Sequence, residues 1–180
     1  MASGATQASA FHESGHCIIG VSLGITPVSV CLREGGGLTC WQWDGCPSLH
    51  KRLMILAGGW LAETLHGFAD REWAAGDDDS QAVQAIGMAR RVPDSMVGDP
   101  WSAPEGRAAC HEARAILRSR RAQVAALAER LLIYRQLTGA EIIRLLATLP
   151  VGLFRESDAS LGLARRRLAL DAAQAGRRQA

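Results

Sequence analysis

Residues 7–24 read QASAFHESGHCIIGVSLG. From Ala5 to Leu23 the apolar residues Ala8, Phe11, Ile18, Ile19 and Val21 recur at helical spacing, and Gly24 offers a stop, so the stretch predicts a helix. On a helix, positions four apart lie on one face, and His12 and His16 can therefore present two imidazole nitrogens to one ion, for which zinc is the first candidate. Glu13 lies about 100° further round, where a carboxylate reaches the metal's water rather than the metal. That is the place of a general base, and the chemistry expected is peptide-bond hydrolysis. Two satisfied core histidines are the bland alternative. It is costly, because both rings and the acid would each need a buried partner on an otherwise apolar helix.

Downstream, PVSVCLRE alternates Val28, Val30 and Leu32, glycines 35–37 supply a turn, and LTCWQW is rich in strand formers, which predicts a β-hairpin. Ser48 is placed to cap a second helix that stops at Gly67 and is apolar on most sides, hence central. Asp77, Asp78 and Asp79 open a third helix, where their charge suits the helix dipole. Pro93, Pro100 and Pro104 mark a loop, and residues 105–134 predict one long arginine-rich helix. Thr138 and Glu141 form a capping box that begins a last core helix ending near Pro150. The expectation is a mainly α domain with a small β-hairpin or sheet over residues 1–150, followed by an arginine-rich helical tail over 151–180.

Composition narrows the partners. At 180 residues and 48% apolar the chain suits one globular domain, and its formal charge of +2 gives no reason to expect nucleic acid. Lys51 is the only lysine and sits in SLHKRL, so no phosphate-binding Walker loop is encoded and no ATP is expected. No apolar run approaches the eighteen or more residues of a membrane span, and the N-terminus lacks a signal-peptide pattern, which points to the cytoplasm. Five cysteines without a CxxC pair read mainly as small core residues. The arginines of the tail read as a solvated charged face.

A catalytic zinc needs a third protein ligand. His50 and His66 flank the second helix, and CHEAR at 110–114 breaks the HExxH pattern because Ala115 stands where a second histidine belongs. Glu63 and the aspartates 77–79 both remain open on physical grounds. The order of motifs, however, resembles the peptidase domain of the FtsH-type AAA proteases. There a helix bearing HEAGHA is followed by a β-hairpin, a helix reading GGRAAEEL, and TGASND opening another helix. This chain offers HESGHC, the hairpin, GGWLAETLHG and AAGDDDSQA in the same order, with similarity over roughly residues 8–148. The resemblance implies that Asp78, followed by Gln81 and Ala82, is the third zinc ligand, with Asp79 its nearest rival, and that Glu63 orients a zinc histidine. It also implies that an extended substrate adds to the hairpin edge LTCWQW, engaging Thr39, Cys40 and Trp41.

The chain departs from that family in lacking an AAA module and a transmembrane segment, and in having GDD where the family has GASN. Without a motor, unfolded or flexible protein segments are the expected substrates. Family members form six-membered rings, so a homo-oligomer is an expectation too. The rival expectations are a protease for one regulatory substrate and a catalytically silent adaptor or decoy that binds a partner protease.

Overall fold

Helices α1 (Gly4–Ser22) and α2 (Leu49–Leu65) cross at a point where neither carries a side chain. In the computed structural model, which describes residues 4–68, 76–149 and 151, a Cβ added to Gly15 would lie 2.1 Å from the carbonyl oxygen of Gly58. One added to Gly58 would lie 2.9 Å from the carbonyl oxygen of Gly15. The two backbones therefore touch, and glycine is required at both positions.

α2 is capped by Ser48, whose Oγ accepts from the Lys51 N–H at 3.3 Å, and the chain turns away at Gly67 with φ +76°. Its residues from Leu53 to Glu63 are all buried, because α1, α3 (Gly76–Arg90) and α4 (Pro104–Ser119) pack around it. That encirclement explains an apolar sequence with no single preferred face. α5 (Arg121–Tyr134) lies against α1, and α6 (Gly139–Ala147) begins at the expected box. There the Thr138 Oγ1 accepts from the Glu141 N–H, and the Glu141 carboxylate accepts from the Thr138 N–H.

Strands β1 (Thr26–Arg33) and β2 (Gly36–Gln42) form the expected hairpin, with Val30 opposite Thr39 and Leu32 opposite Gly37. The turn is shorter than expected. Glu34 and Gly35 make it, Gly35 taking φ +80°, while Gly36 and Gly37 already belong to β2. A third strand, β3 (Gln136–Thr138), pairs antiparallel with the other side of β1, so the order is β2–β1–β3 and β2 is an outer edge. The protein is thus mainly helical with one small antiparallel sheet.

The single helix expected over 105–134 is two helices that break at Arg120 (φ −113°, ψ 19°). α4 buries Ala109, Ala113 and Leu117, and α5 buries Val124, Leu127 and Leu131. After the break the Arg121 guanidinium donates to the carbonyl of Leu65 at 2.8 Å, meeting the negative end of α2. Of the cysteines only Cys17 is fully buried; Cys31, Cys40 and Cys110 are partly exposed and Cys46 is exposed. No helix among the described residues is long and apolar enough to cross a membrane. The tail expected over 151–180 lies outside the described residues, apart from Val151.

Candidate metal centre and its cleft

The close crossing of α1 and α2 sets the outer contacts of both histidines. His12 donates from Nδ1 to Glu63 Oε1 at 2.8 Å, and His16 donates from Nδ1 to the carbonyl of Ile55 at 2.7 Å. A carboxylate and a carbonyl only accept, so both rings carry hydrogen on Nδ1 and turn Nε2 toward the same point. The rings stand nearly perpendicular, 79° apart, with centroids 4.5 Å from each other. The His12 ring lies over Gly59, where an added Cβ would come within 2.5 Å of Nε2.

α3 supplies the third group. Asp78 Oδ2 is 3.1 Å from His12 Nε2 and 3.2 Å from His16 Nε2, and the three ligand atoms all lie within 4.8 Å of one another. For ligand bonds near 2.1 Å, a tetrahedral ion would hold neighbouring donor atoms roughly 3.4 Å apart, close to the two separations from Asp78. Oδ2 is buried and, among the described residues, within ion-pair distance of both rings without a well-aligned hydrogen bond, as suits three atoms around one centre.

Electrostatics agree. Burial alone would lower His12, but Asp78 and Glu63 outweigh it and raise the group to about 10; His16 is raised as well, chiefly by Asp78 against its burial. Asp78 is held well below the usual carboxylate range, burial notwithstanding, by His16 and His12. The pocket draws positive charge, which two extra protons or one divalent cation can provide. The residues present therefore fit a metal ion, and the outer bonds of the two histidines match the support that metal ligands need.

Glu13, next to His12 on α1, is 6% exposed and lies under β2. It does not join the trio. Its Oε2 accepts from the Thr39 hydroxyl at 2.6 Å, and a Cβ on Gly37 would lie 2.3 Å from its Cγ. Glu13 and the trio share a cleft of about 620 Å³, walled on one side by Leu38, Thr39, Trp41 and Trp43 and on the other by Ile55, Leu56 and Arg52.

Of the three residues expected to meet substrate, Thr39 and Trp41 line this cleft. Cys40, between them on β2, does not line it. The Trp41 ring also packs on α1, where a Cβ on Gly20 would fall 2.2 Å from it. Asp79, the rival ligand, faces away and accepts from the Trp101 indole N–H. The remaining histidines stand apart from the centre: His50 pairs with Glu112 at 3.1 Å, His111 is exposed on α4, and His66 lies tilted against Phe11, ring centroids 4.3 Å apart. Cys17 has its thiol pushed up by burial and then by Glu13, which makes it unreactive.

Sequence reasoning missed the Ile55 carbonyl, the glycines that let the rings and Glu13 fit, and the bond from Thr39 to Glu13. Adjacent glycines inside an apolar helix, at Gly58 and Gly59, were a usable signal of close approach. No protein-family model matches the chain, and no curated protein matches it.

Proposed function

We propose that the chain is a zinc metallopeptidase of the FtsH-peptidase type, hydrolysing unfolded or flexible protein segments by chemistry that itself consumes no ATP. The observation that carries this is the convergence of His12 Nε2, His16 Nε2 and Asp78 Oδ2 on one centre, with the Glu13 carboxylate beside it in the same cleft. Zinc held by these three would act as a Lewis acid on the scissile carbonyl and lower the pKa of a water toward about 7.

In this reading Glu13 takes the proton from the attacking water and delivers it to the nitrogen of the leaving amine. Glu63 and the Ile55 carbonyl fix the orientation of the two imidazoles. The outer edge of β2 offers backbone N–H and C=O groups to an extended substrate, and Thr39 and Trp41 of that strand line the cleft. A segment must already be extended to add to that edge, so unfolded or flexible segments are the substrates.

The test is Glu13→Gln in zinc-loaded protein. The variant should keep its zinc and lose cleavage of casein. Retained cleavage would reject Glu13 as the base, and a zinc-loaded wild-type protein that leaves both casein and a peptide library intact would reject the peptidase.

A further inference from the structure

We infer that Thr39 is a positioning residue for Glu13, so that the edge strand aligns the base of the proposed reaction rather than merely presenting substrate. The inference rests on the peptidase reading for its kinetics, though not for its geometry. Thr39 Oγ1 lies 2.6 Å from Glu13 Oε2, the length of a charge-assisted hydroxyl–carboxylate bond, and only 3.4 Å from the Glu13 carbonyl oxygen. The single hydroxyl proton is therefore committed to the carboxylate. Among the described residues this is the only hydrogen bond that the Glu13 carboxylate accepts, and it engages Oε2 while leaving Oε1 free to take a proton.

Gly37 completes the device. Residues two apart on a strand share a face, so Gly37 and Thr39 both look down on α1. With no side chain at Gly37, the Glu13 stem passes directly beneath β2, where an added Cβ would come within 2.3 Å of Cγ and 2.8 Å of Cδ. The stem is confined by a missing side chain and the carboxylate is pinned by a present one, two residues along. A glutamate has three rotatable bonds, and a general base must be held within a fraction of an ångström of its productive position. The hydroxyl supplies that restraint.

Thr39→Val keeps the shape and removes the hydroxyl, and Thr39→Ser restores it. Zinc-loaded Thr39→Val should retain wild-type zinc content and KM for an unfolded substrate while kcat falls about tenfold to a hundredfold. Thr39→Ser should recover kcat to within a few-fold. A raised KM with unchanged kcat would instead make Thr39 a substrate contact, and unchanged kinetics would remove it from the mechanism; either result overturns the inference. Crystal structures decide the matter independently of turnover. Glu13 should occupy one conformer in the wild type and in Thr39→Ser, and more than one in Thr39→Val, and an undisturbed Glu13 in Thr39→Val refutes the positioning role. Failure of the peptidase reading would be visible separately, as a wild-type protein that cleaves nothing.

Discussion

Replacing Gly15 by alanine sets helix propensity against the crossing of α1 and α2. In a helix interior this change alone favours folding by about 1 kcal/mol. Here the new methyl would lie 2.1 Å from the Gly58 carbonyl oxygen and 2.6 Å from the Ala62 Cβ, both parts of α2 that cannot swing aside. To reach ordinary contact at 3.4 Å the helices must part by roughly 1.3 Å, an overpacking that costs about 1–3 kcal/mol. The bonds from His12 to Glu63 at 2.8 Å and from His16 to Ile55 at 2.7 Å both span the same gap. A parting of that size breaks them, at about 1 kcal/mol each. The net expectation is a loss of about 3 kcal/mol, or about 6–12 °C in Tm for a chain of this length. Zinc affinity should fall about tenfold to a hundredfold, since both ligand rings lose their support. Differential scanning calorimetry and competition with a chromophoric chelator measure the two quantities. A Tm that rises by a few degrees with zinc affinity intact would show that α1 and α2 are not in backbone contact, and would refute the geometry from which the site is built.

Asp78→Asn should reduce zinc content, measured by elemental analysis, to a small fraction of wild type, whereas Asp79→Asn should leave it intact, because Asp79 serves the Trp101 indole instead. Equal losses would contradict the orientation of α3. His66 yields a pH test on the fold. Burial and then Arg121 lower its pKa to about 4, and neither ring nitrogen has a hydrogen-bond partner among the described residues. A histidine whose folded pKa lies below its unfolded value of 6.5 favours the native state fully above pH 6.5, and that contribution is lost as pH falls toward 4. Between pH 7 and pH 5 the loss is about 2 kcal/mol. His66→Phe keeps a ring against Phe11, and its stability relative to wild type should rise by about that amount between pH 7 and pH 5; a difference between the two proteins that is the same in urea melts at both pH values would contradict it.

The elements that the sequence disclosed are those with local signatures. Ser48 caps α2, Thr138 and Glu141 box α6, and Gly24 and Gly67 take the positive φ that ends a helix, each a matter of a few neighbouring residues. Two features depended on distant partners and were not legible. β3 is three residues long, too short for an alternation to register, and it is a strand only because β1 has a second edge free. The break at Arg120 involves neither proline nor glycine. Beside it Arg121 meets the last carbonyl of α2, a partner 56 positions away in sequence.

The same division runs through the candidate site. HESGH carries its own geometry, because four residues of helix suffice to stack two imidazoles, but the run Asp77–Asp78–Asp79 offers three chemically equal carboxylates. Only the rotational phase of α3 distinguishes them. Ala82 and Ile86 are wholly buried and Ala85 nearly so, which defines the stripe of α3 that faces the rest of the protein. Counting back four residues from Ala82 reaches Asp78, so the stripe that seats α3 carries this carboxylate inward to the histidines. Asp79, about 100° further round, is brought against Trp101 instead. The amphipathic phase of GDDDSQAVQAIG puts Asp78 nearer than Asp79 to the middle of that stripe, with Asp79 at its margin, but only once it is known which side of α3 is covered. What covers that side is α2, itself in backbone contact with α1 at Gly15 and Gly58, so the choice among the aspartates rests on packing between elements far apart in sequence.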